Sequence, residues 1–216
     1  MERKITVPLY AGAFLLSLAI FVSGIYIGSA IDNTNLNNVA VDVSTISEKV
    51  ASVQLLLLSE GNASSFCPVY SSELRSIDNE VEKVGYKLSF LEDEKGVYDN
   101  DLKRKYFLLE AESYLLSKKV RSLCGSSSIL LINFYSNKDC ARCREQGTEI
   151  LKARDALAGS SDIKLFSFDG ELDSPVAESF EKEYNITGYP SVVIDGKTYP
   201  GFHDSAQLQK LMSASK

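Results

Sequence analysis

The sequence predicts an α/β domain at its C-terminal end, preceded by a helical region and an apolar N-terminal segment. An apolar run at 129–135 is typical of a buried strand, and turn and capping signals divide the residues after it into strands and helices. Before it, apolar residues recur in steps of three and four, which predicts helices. We therefore expect a transmembrane anchor over 1–31, a linker and helical hairpin over 32–125, and the α/β domain over 126–216.

The elements of the α/β domain follow from local patterns. Ser174-Pro175 is a helix-start signal, and Asp195-Gly196 between two short apolar runs is a strong signal for a β-hairpin. The order βαβαββα gives a sheet covered by helices. The predicted elements are a strand at 129–135, a helix that starts at the cysteine pair 140–143, a strand at 163–168, a helix near 174–184, strands at 191–194 and 197–199, and a helix from about 204 to 212.

The N-terminal segment predicts export. No charged residue lies between Ile5 and Ile31, and a membrane-spanning helix needs about 20 apolar residues. Arg3 and Lys4 precede this segment, and no basic residue follows until Lys49, so the positive-inside rule places the N-terminus in the cytoplasm and the rest outside. A cleaved signal peptide, with small residues at 28–30, is the competing interpretation, and it exports the chain equally.

Charge and composition exclude one function class. The formal net charge of the 216 residues is −6, and no basic stripe is present to neutralise phosphates, so we expect no nucleic-acid partner.

The middle region is predicted to be a helical hairpin after a polar, Asn-rich linker at 32–38. Three runs of apolar residues, within 39–57, 74–91 and 102–123, have the spacing of a coiled-coil seam. This apolar stripe has two interpretations. It packs inside one chain, as a three-helix unit, or it is a surface for forming a homo-oligomer or docking a partner. The acidic cluster 92–94 is expected to be the solvated tip of the hairpin.

Two cysteines are placed to close that hairpin. Cys67 lies just before the second helix and Cys124 just after the third, and their midpoint falls at the predicted turn between Lys95 and Gly96. Equal arms on either side of a turn bring the two ends together. We therefore predict a structural Cys67–Cys124 disulfide, in keeping with an oxidising compartment.

The other two cysteines carry the predicted chemistry. Cys140 and Cys143 are separated by two residues at a helix start, where unsatisfied N–H groups and the helix dipole stabilise a thiolate. The thiolate is the attacking species in disulfide exchange. Cys140 is predicted to attack and Cys143 to resolve the mixed disulfide, with Arg142 lowering the pKa of Cys140.

A family resemblance extends this interpretation over about residues 128–216. The strand, the Cys140-Ala141-Arg142-Cys143 motif and the segment 184–196, with its Gly-Tyr-Pro-Ser-Val turn, together resemble the thioredoxin superfamily. The resemblance implies that Pro190 follows a cis peptide bond beside the cysteine pair. It also implies that the backbone of Tyr189 pairs with an extended substrate peptide.

The sequence departs from the family at three places. The dipeptide Ala-Arg between the cysteines matches neither the thioredoxins nor the periplasmic oxidants, so the redox direction does not carry over. Asn133 stands nearest the place of the buried acid on the preceding strand, and Asp139 replaces the aromatic residue before the motif. Both changes argue against efficient reduction of the cytosolic kind.

The function expected is that of a membrane-anchored thiol–disulfide oxidoreductase. Its substrates are cysteines of exported proteins, a separate membrane redox partner regenerates it, and it needs no cofactor or metal. Oxidation or isomerisation is favoured over reduction. Two alternatives stand beside it: zinc held by the four cysteines, and a non-catalytic binding or assembly module. His203, the only histidine, is expected at the surface.

Overall fold

A computed structural model describes residues 7–58 and 63–215. A short 3₁₀ turn at Ala63–Phe66 separates the first two helices. The elements, in chain order, are α1 (Val7–Leu58), α2 (Cys67–Lys95), α3 (Asn100–Cys124), β1 (Ile129–Tyr135), α4 (Cys143–Leu157), β2 (Ile163–Asp169), α5 (Pro175–Tyr184), β3 (Ser191–Ile194), β4 (Lys197–Pro200) and α6 (Ser205–Ala214).

The linker predicted over 32–38 is wrong, because α1 continues through it without a break. Asparagine is only a moderately poor helix former, and packing of one helix face outweighs that preference. Leu36, inside the predicted linker, already contacts the hydrophobic core, and Val39 and Val43 are buried in it. The core contacts of α1 therefore begin within the segment that the composition marks as a loop.

The N-terminal half of α1 presents its apolar side chains outward. Between Tyr10 and Tyr26 the large apolar residues are exposed, Phe14 and Phe21 among them. In the parts of the chain that the structure describes, no helix combines the length and apolarity required to cross a membrane. The structure thus gives no support to the anchor predicted over residues 1–31, of which the first six lie outside the described part.

The C-terminal half of α1 packs against the α2–α3 hairpin as a three-helix unit. Two ion pairs fix α1 antiparallel to α2: Lys87 with Asp42 at 2.6 Å and Lys49 with Glu80 at 2.7 Å. The apolar stripes of all three helices are buried inside this one chain, and only their last members, Leu57 and Leu123, are partly open. The predicted seam is therefore occupied by intramolecular packing.

The hairpin and its disulfide clasp are confirmed. The α2–α3 turn lies at Gly96, which has a φ of 62° suited to glycine. At the other end, Cys67 and Cys124 form a disulfide with a Cα–Cα distance of 5.6 Å.

Removing this clasp is expected to lower the free energy of unfolding by about 2–5 kcal/mol, because the bond closes a loop of 57 residues in the unfolded chain. The paired replacement Cys67→Ala/Cys124→Ala tests this by urea denaturation, with the second disulfide kept oxidised. A loss below about 1 kcal/mol would show that the clasp contributes little and that helix packing alone holds the hairpin.

The C-terminal elements form a four-stranded sheet in the order β2-β1-β3-β4. β1 and β2 are parallel, whereas β3 pairs antiparallel with both β1 and β4. Asp195 and Gly196 have φ values of 48° and 86°, as a tight two-residue hairpin turn requires. The predicted order βαβαββα is confirmed, and β2 is left at one edge of the sheet.

Helix α3 belongs to both halves of the molecule. Its seam side packs in the three-helix unit, while Phe107 and Tyr114 contact Phe168 and Phe166 of β2 at ring distances of 5.5 and 5.4 Å. One hydrophobic core consequently runs across residue 125, where a domain boundary is predicted. The hairpin is attached firmly to the sheet, and its turn lies at the end of the sheet where β1 ends.

Candidate redox site

The predicted active cysteines lie between the end of β1 and the start of α4. Cys140 and Cys143 form a disulfide with a Cα–Cα distance of 5.4 Å. All four cysteines are thus paired in two disulfides, so the four thiolates that a zinc site would need are engaged with each other. The two disulfides lie far apart along α3. Lys103, which is close to the Cys140–Cys143 site, is 21 residues from Cys124 in this helix, a distance of roughly 30 Å.

The two sulfurs differ in accessibility. Cys140 is half-buried in the loop before the helix, whereas Cys143 is the first residue of α4 and is only 6% exposed. The backbone N–H of Ser136 donates to Cys143 Sγ at 3.4 Å. An incoming thiolate therefore reaches Cys140, and the inner sulfur has a backbone donor ready to stabilise negative charge.

Arg142 lies between the cysteines but is engaged elsewhere. Its guanidinium donates two hydrogen bonds to Glu145, at 3.0 and 3.1 Å, and lies 3.4 Å from the centre of the Phe202 ring. The bond to Glu145 raises the pKa of Arg142 and adds a negative charge beside it. The predicted effect of Arg142 on the pKa of Cys140 remains a prediction, and Glu145 opposes it.

The segment before β3 lies at the same end of the sheet. The Tyr189–Pro190 peptide bond is cis, as the resemblance implied. Ser191 pairs with Phe134 near the end of β1, which places Pro190 beside the loop that carries Cys140. Pro190 itself is buried. The roles of Tyr189 and Pro190 in substrate binding remain predictions.

The side chain of Tyr189 is fixed by two neighbours. Its hydroxyl donates to the carboxylate of Glu181 on α5. The ring lies against Gly170, where an added Cβ would come within 1.9 Å of the tyrosine oxygen, so only glycine leaves room for this contact. These contacts fix the position of Tyr189 in the loop before β3.

The tip of the hairpin takes part in the site. Asp93 and Glu94 of the acidic cluster are exposed as expected, but Glu92 is not. Glu92 is buried and accepts from Lys103 Nζ at 2.9 Å and from Asn137 Nδ2 at 3.2 Å. Lys103 is buried as well, and it donates to Asp169 at 3.1 Å. The hairpin therefore holds the loop that precedes Cys140.

This buried triad was missed by the sequence-based interpretation. Lys103 lies one position from the seam residue Leu102, so an amphipathic pattern assigns it to the helix surface. The available signal was weak: Glu92 lies one position from Leu91, at the tip of the hairpin, where the two helices meet.

A second buried acid lies deeper. Glu110 of α3 is 3% exposed and accepts from the Tyr106 hydroxyl, and the backbone N–H of Ser167 interacts with its carboxyl and lowers its pKa. Burial raises the pKa of this carboxyl from 4.5 to about 8. Glu110 Oε2 and the side-chain oxygen of Asn133 have no hydrogen-bond partner among the described residues. The strand thus carries an amide, and a neighbouring helix supplies a carboxyl that is protonated at neutral pH.

The raised pKa of Glu110 predicts a pH-dependent stability. Between pH 4.5 and about 8 the folded state binds a proton that the unfolded state has released, so stability falls as pH rises through this window. Glu110→Gln is expected to remove this pH dependence. The free energy of unfolding of the variant, relative to the wild type, should therefore rise by a few kcal/mol as the pH increases through this window, at about 1.4 kcal/mol per pKa unit. Urea denaturation at several pH values measures the difference. A constant difference from pH 5 to pH 9 would contradict the raised pKa.

His203 is not simply a surface residue. It is half-buried, and the amide of Gln146 on α4 both donates to its carbonyl at 3.1 Å and accepts from its N–H at 2.7 Å. Its ring packs edge-on against Tyr199. The contact joins the start of α6 to the helix that begins at Cys143.

The strand order, a cysteine pair at the start of the helix after β1, and a cis-proline before β3 define a thioredoxin-like fold. No protein-family model and no curated protein matches the chain.

Among solved structures, the chain is similar to chloroplastic thioredoxin z, with 18% identity, 45% of this chain and 87% of that chain covered, and a TM-score of 0.35. The mitochondrial thioredoxin 3 of Saccharomyces cerevisiae matches at 21% identity over 45% of this chain and 88% of its own, with a TM-score of 0.32. The thioredoxin of Fasciola hepatica matches at 17% identity over 47% and 93%, with a TM-score of 0.33. At these values the likenesses carry no argument about activity, and the fold assignment rests on the topology.

Proposed function

We propose that this chain is a thiol–disulfide oxidoreductase that exchanges disulfides with cysteines of exported proteins through Cys140 and Cys143. The observation that carries the proposal is the unequal burial of the two sulfurs in a disulfide at a helix start. A structural disulfide needs no such asymmetry, whereas an exchange reaction needs one sulfur that is open to attack and one that is shielded until its turn.

The reaction in the oxidising direction has two steps. A substrate thiolate attacks Cys140 Sγ, the bond to Cys143 breaks, and its electron pair leaves on Cys143 as a thiolate, which takes up a proton. A second substrate thiol then loses its proton and attacks the substrate sulfur of the mixed disulfide, releasing Cys140 as a thiolate. The products are a substrate disulfide and the reduced pair. Reduction runs the same two steps in reverse. In isomerisation the Cys140 thiolate attacks a substrate disulfide, and another substrate thiolate then attacks the substrate sulfur of the mixed disulfide and releases Cys140.

Backbone N–H groups of the chain stabilise both of the thiolates that leave in these steps. The N–H groups of the first turn of α4 stabilise a thiolate at Cys140. The Ser136 N–H stabilises the Cys143 thiolate as it leaves. In the proposal, the backbone of Tyr189, in the loop that Glu181 and Gly170 fix, aligns the substrate chain with Cys140.

The compartment belongs to the same proposal. The Cys67–Cys124 clasp, a structural disulfide, is favoured in an oxidising location outside the cytoplasm, where making or rearranging disulfides is the expected direction. Attachment to a membrane through residues 1–31 is proposed on the sequence alone. Since the clasp lies far from the site along α3, electrons taken up by Cys140 and Cys143 leave to a separate membrane redox partner.

The reduction potential of the pair tests the direction. The purified chain carrying Cys67→Ala/Cys124→Ala is titrated with glutathione, and the Cys140–Cys143 state is followed by alkylation and mass spectrometry. A value near about −120 mV would identify a disulfide donor, and one near about −270 mV a reductant or an isomerase supplied with electrons. If the pair exchanges with no dithiol over this range, the proposal fails. The domain is then a non-catalytic binding module, which the absence of an acid at Asn133 would fit.

A further inference from the structure

One edge of the sheet is free and opens into a cleft that also contains the cysteine pair. β2 pairs with β1 on one side only. The cleft has a volume of about 740 Å³ and is walled by α2 and α3 on one side and by β2 and α4 on the other. Cys140 and Cys143 line the same cleft, which we call the edge cleft.

The register decides which backbone groups of β2 face the cleft. The Ile129 N–H donates to the Asp162 carbonyl, so the even-numbered residues of β2 direct their backbone groups towards β1. Ile163, Leu165 and Ser167 consequently direct theirs away from the sheet, and all three line the edge cleft.

One of these outward groups already has a partner. The Ser167 N–H faces the Glu110 carboxyl, and this interaction lowers the pKa of the carboxyl against the larger effect of burial. Within the part of the chain that the structure describes, the N–H groups of Ile163 and Leu165 have no such partner. Backbone groups facing a cavity of this size need water or a ligand.

Several charged side chains around the edge cleft are paired within the chain, whereas Arg75 and Asp162, which also line it, form no ion pair among the described residues. Arg144 pairs with Asp93 at 3.0 Å, Arg154 pairs with Glu82 at 2.9 Å, and Lys164 pairs with Asp78. The remaining walls carry aromatic and aliphatic side chains, Phe107, Phe166 and Ile150 among them. A ligand in the edge cleft thus meets backbone donors and acceptors, apolar surface, and charged side chains that are paired at these three places.

We propose that the edge cleft binds an extended, largely apolar segment of the substrate polypeptide, which adds to β2 as a further strand. A strand in this position lies about 4.8 Å from β2 and spans about 16 Å along residues 163–167. β2 ends at Asp169, which pairs with Tyr135, and the chain continues from Tyr135 to Cys140, so a cysteine following the bound segment reaches the outer sulfur. This inference rests on the proposed function and names how its substrates are held.

The test compares a polypeptide substrate with glutathione, which is too small to need the edge cleft. Leu165→Pro deletes one outward N–H and leaves the ladder to β1 intact, since a proline is tolerated on an edge strand. The matched control Leu165→Val keeps that N–H. We expect Leu165→Pro to slow exchange with a reduced, unfolded cysteine-containing peptide by about tenfold, to leave exchange with glutathione unchanged, and Leu165→Val to change neither.

A second measurement on the intact fold guards against a folding defect. The mixed disulfide of the Cys143→Ser chain with the same peptide is compared with its glutathione adduct by amide hydrogen exchange. The Ile163 and Leu165 amides should become protected only in the peptide adduct, while those of Lys164 and Phe166 stay unchanged. An unprotected Leu165 amide, or equal peptide rates for the proline variant, would overturn the edge cleft alone. Failure of the wild type with both substrates would overturn the proposed function as well.

Discussion

Replacing Cys140 by serine is expected to abolish disulfide exchange, with a loss of at least about a thousandfold in rate. Cys140 is half-buried and in the proposed mechanism receives the substrate thiolate, and a hydroxyl cannot form a mixed disulfide. Stopped-flow mixing of the oxidised wild type, or of the variant, with a dithiol peptide measures the change.

The matched variant Cys143→Ser should behave differently. Its open Cys140 still attacks an activated disulfide, but no neighbouring thiol resolves the product, so a mixed disulfide with the substrate accumulates. If Cys140→Ser accumulated the adduct instead, the nucleophile would be Cys143, and the assignment based on burial would be wrong.

Lys103→Met is expected to lower the free energy of unfolding by about 3–5 kcal/mol. The ammonium lies buried between the carboxylates of Glu92 and Asp169, at 2.9 and 3.1 Å. Without it, two like charges remain buried side by side, and Glu92 also holds Asn137 in the loop before Cys140. Urea denaturation measures the loss, and exchange rates should fall with it as this loop loosens.

Two controls separate charge from helix content. Lys105→Met changes an exposed lysine of the same helix and is expected to shift stability by no more than about 0.5 kcal/mol. Adding Glu92→Gln and Asp169→Asn to Lys103→Met removes the repulsion and should recover much of the loss. A triple variant as unstable as Lys103→Met alone would show that packing, rather than the buried charges, sets the cost.

The features predicted correctly from the sequence are those fixed by local physics. A strand buried on both faces reads as a continuous apolar run, and Asp195-Gly196 requires two positive φ values in succession. The Cys67–Cys124 clasp was predicted because two hairpin helices of equal length bring their ends together opposite the turn. The cysteine pair was recognised because its spacing and its position before a helix are both local.

The features missed depend on which surfaces meet. Glu110 and Lys103 look like solvent-facing helix positions until α3 packs on the sheet with its second face. Phe107 and Tyr114, seven residues apart and each one position from a seam residue, were a readable sign of that second face. The continuity of α1 through 32–38 was missed because core contacts, beginning at Leu36, outweigh the local composition.

The most direct test of the redox function is a single-turnover transfer. The oxidised chain is mixed with an excess of a reduced dithiol peptide, the reaction is quenched with acid, and both partners are weighed by mass spectrometry. We expect the peptide to lose two hydrogens as Cys140–Cys143 gains them, through a transient adduct on Cys140, while Cys67–Cys124 stays oxidised. A Cys140–Cys143 bond that survives every such peptide, with no adduct at any time, would contradict the proposed oxidoreductase.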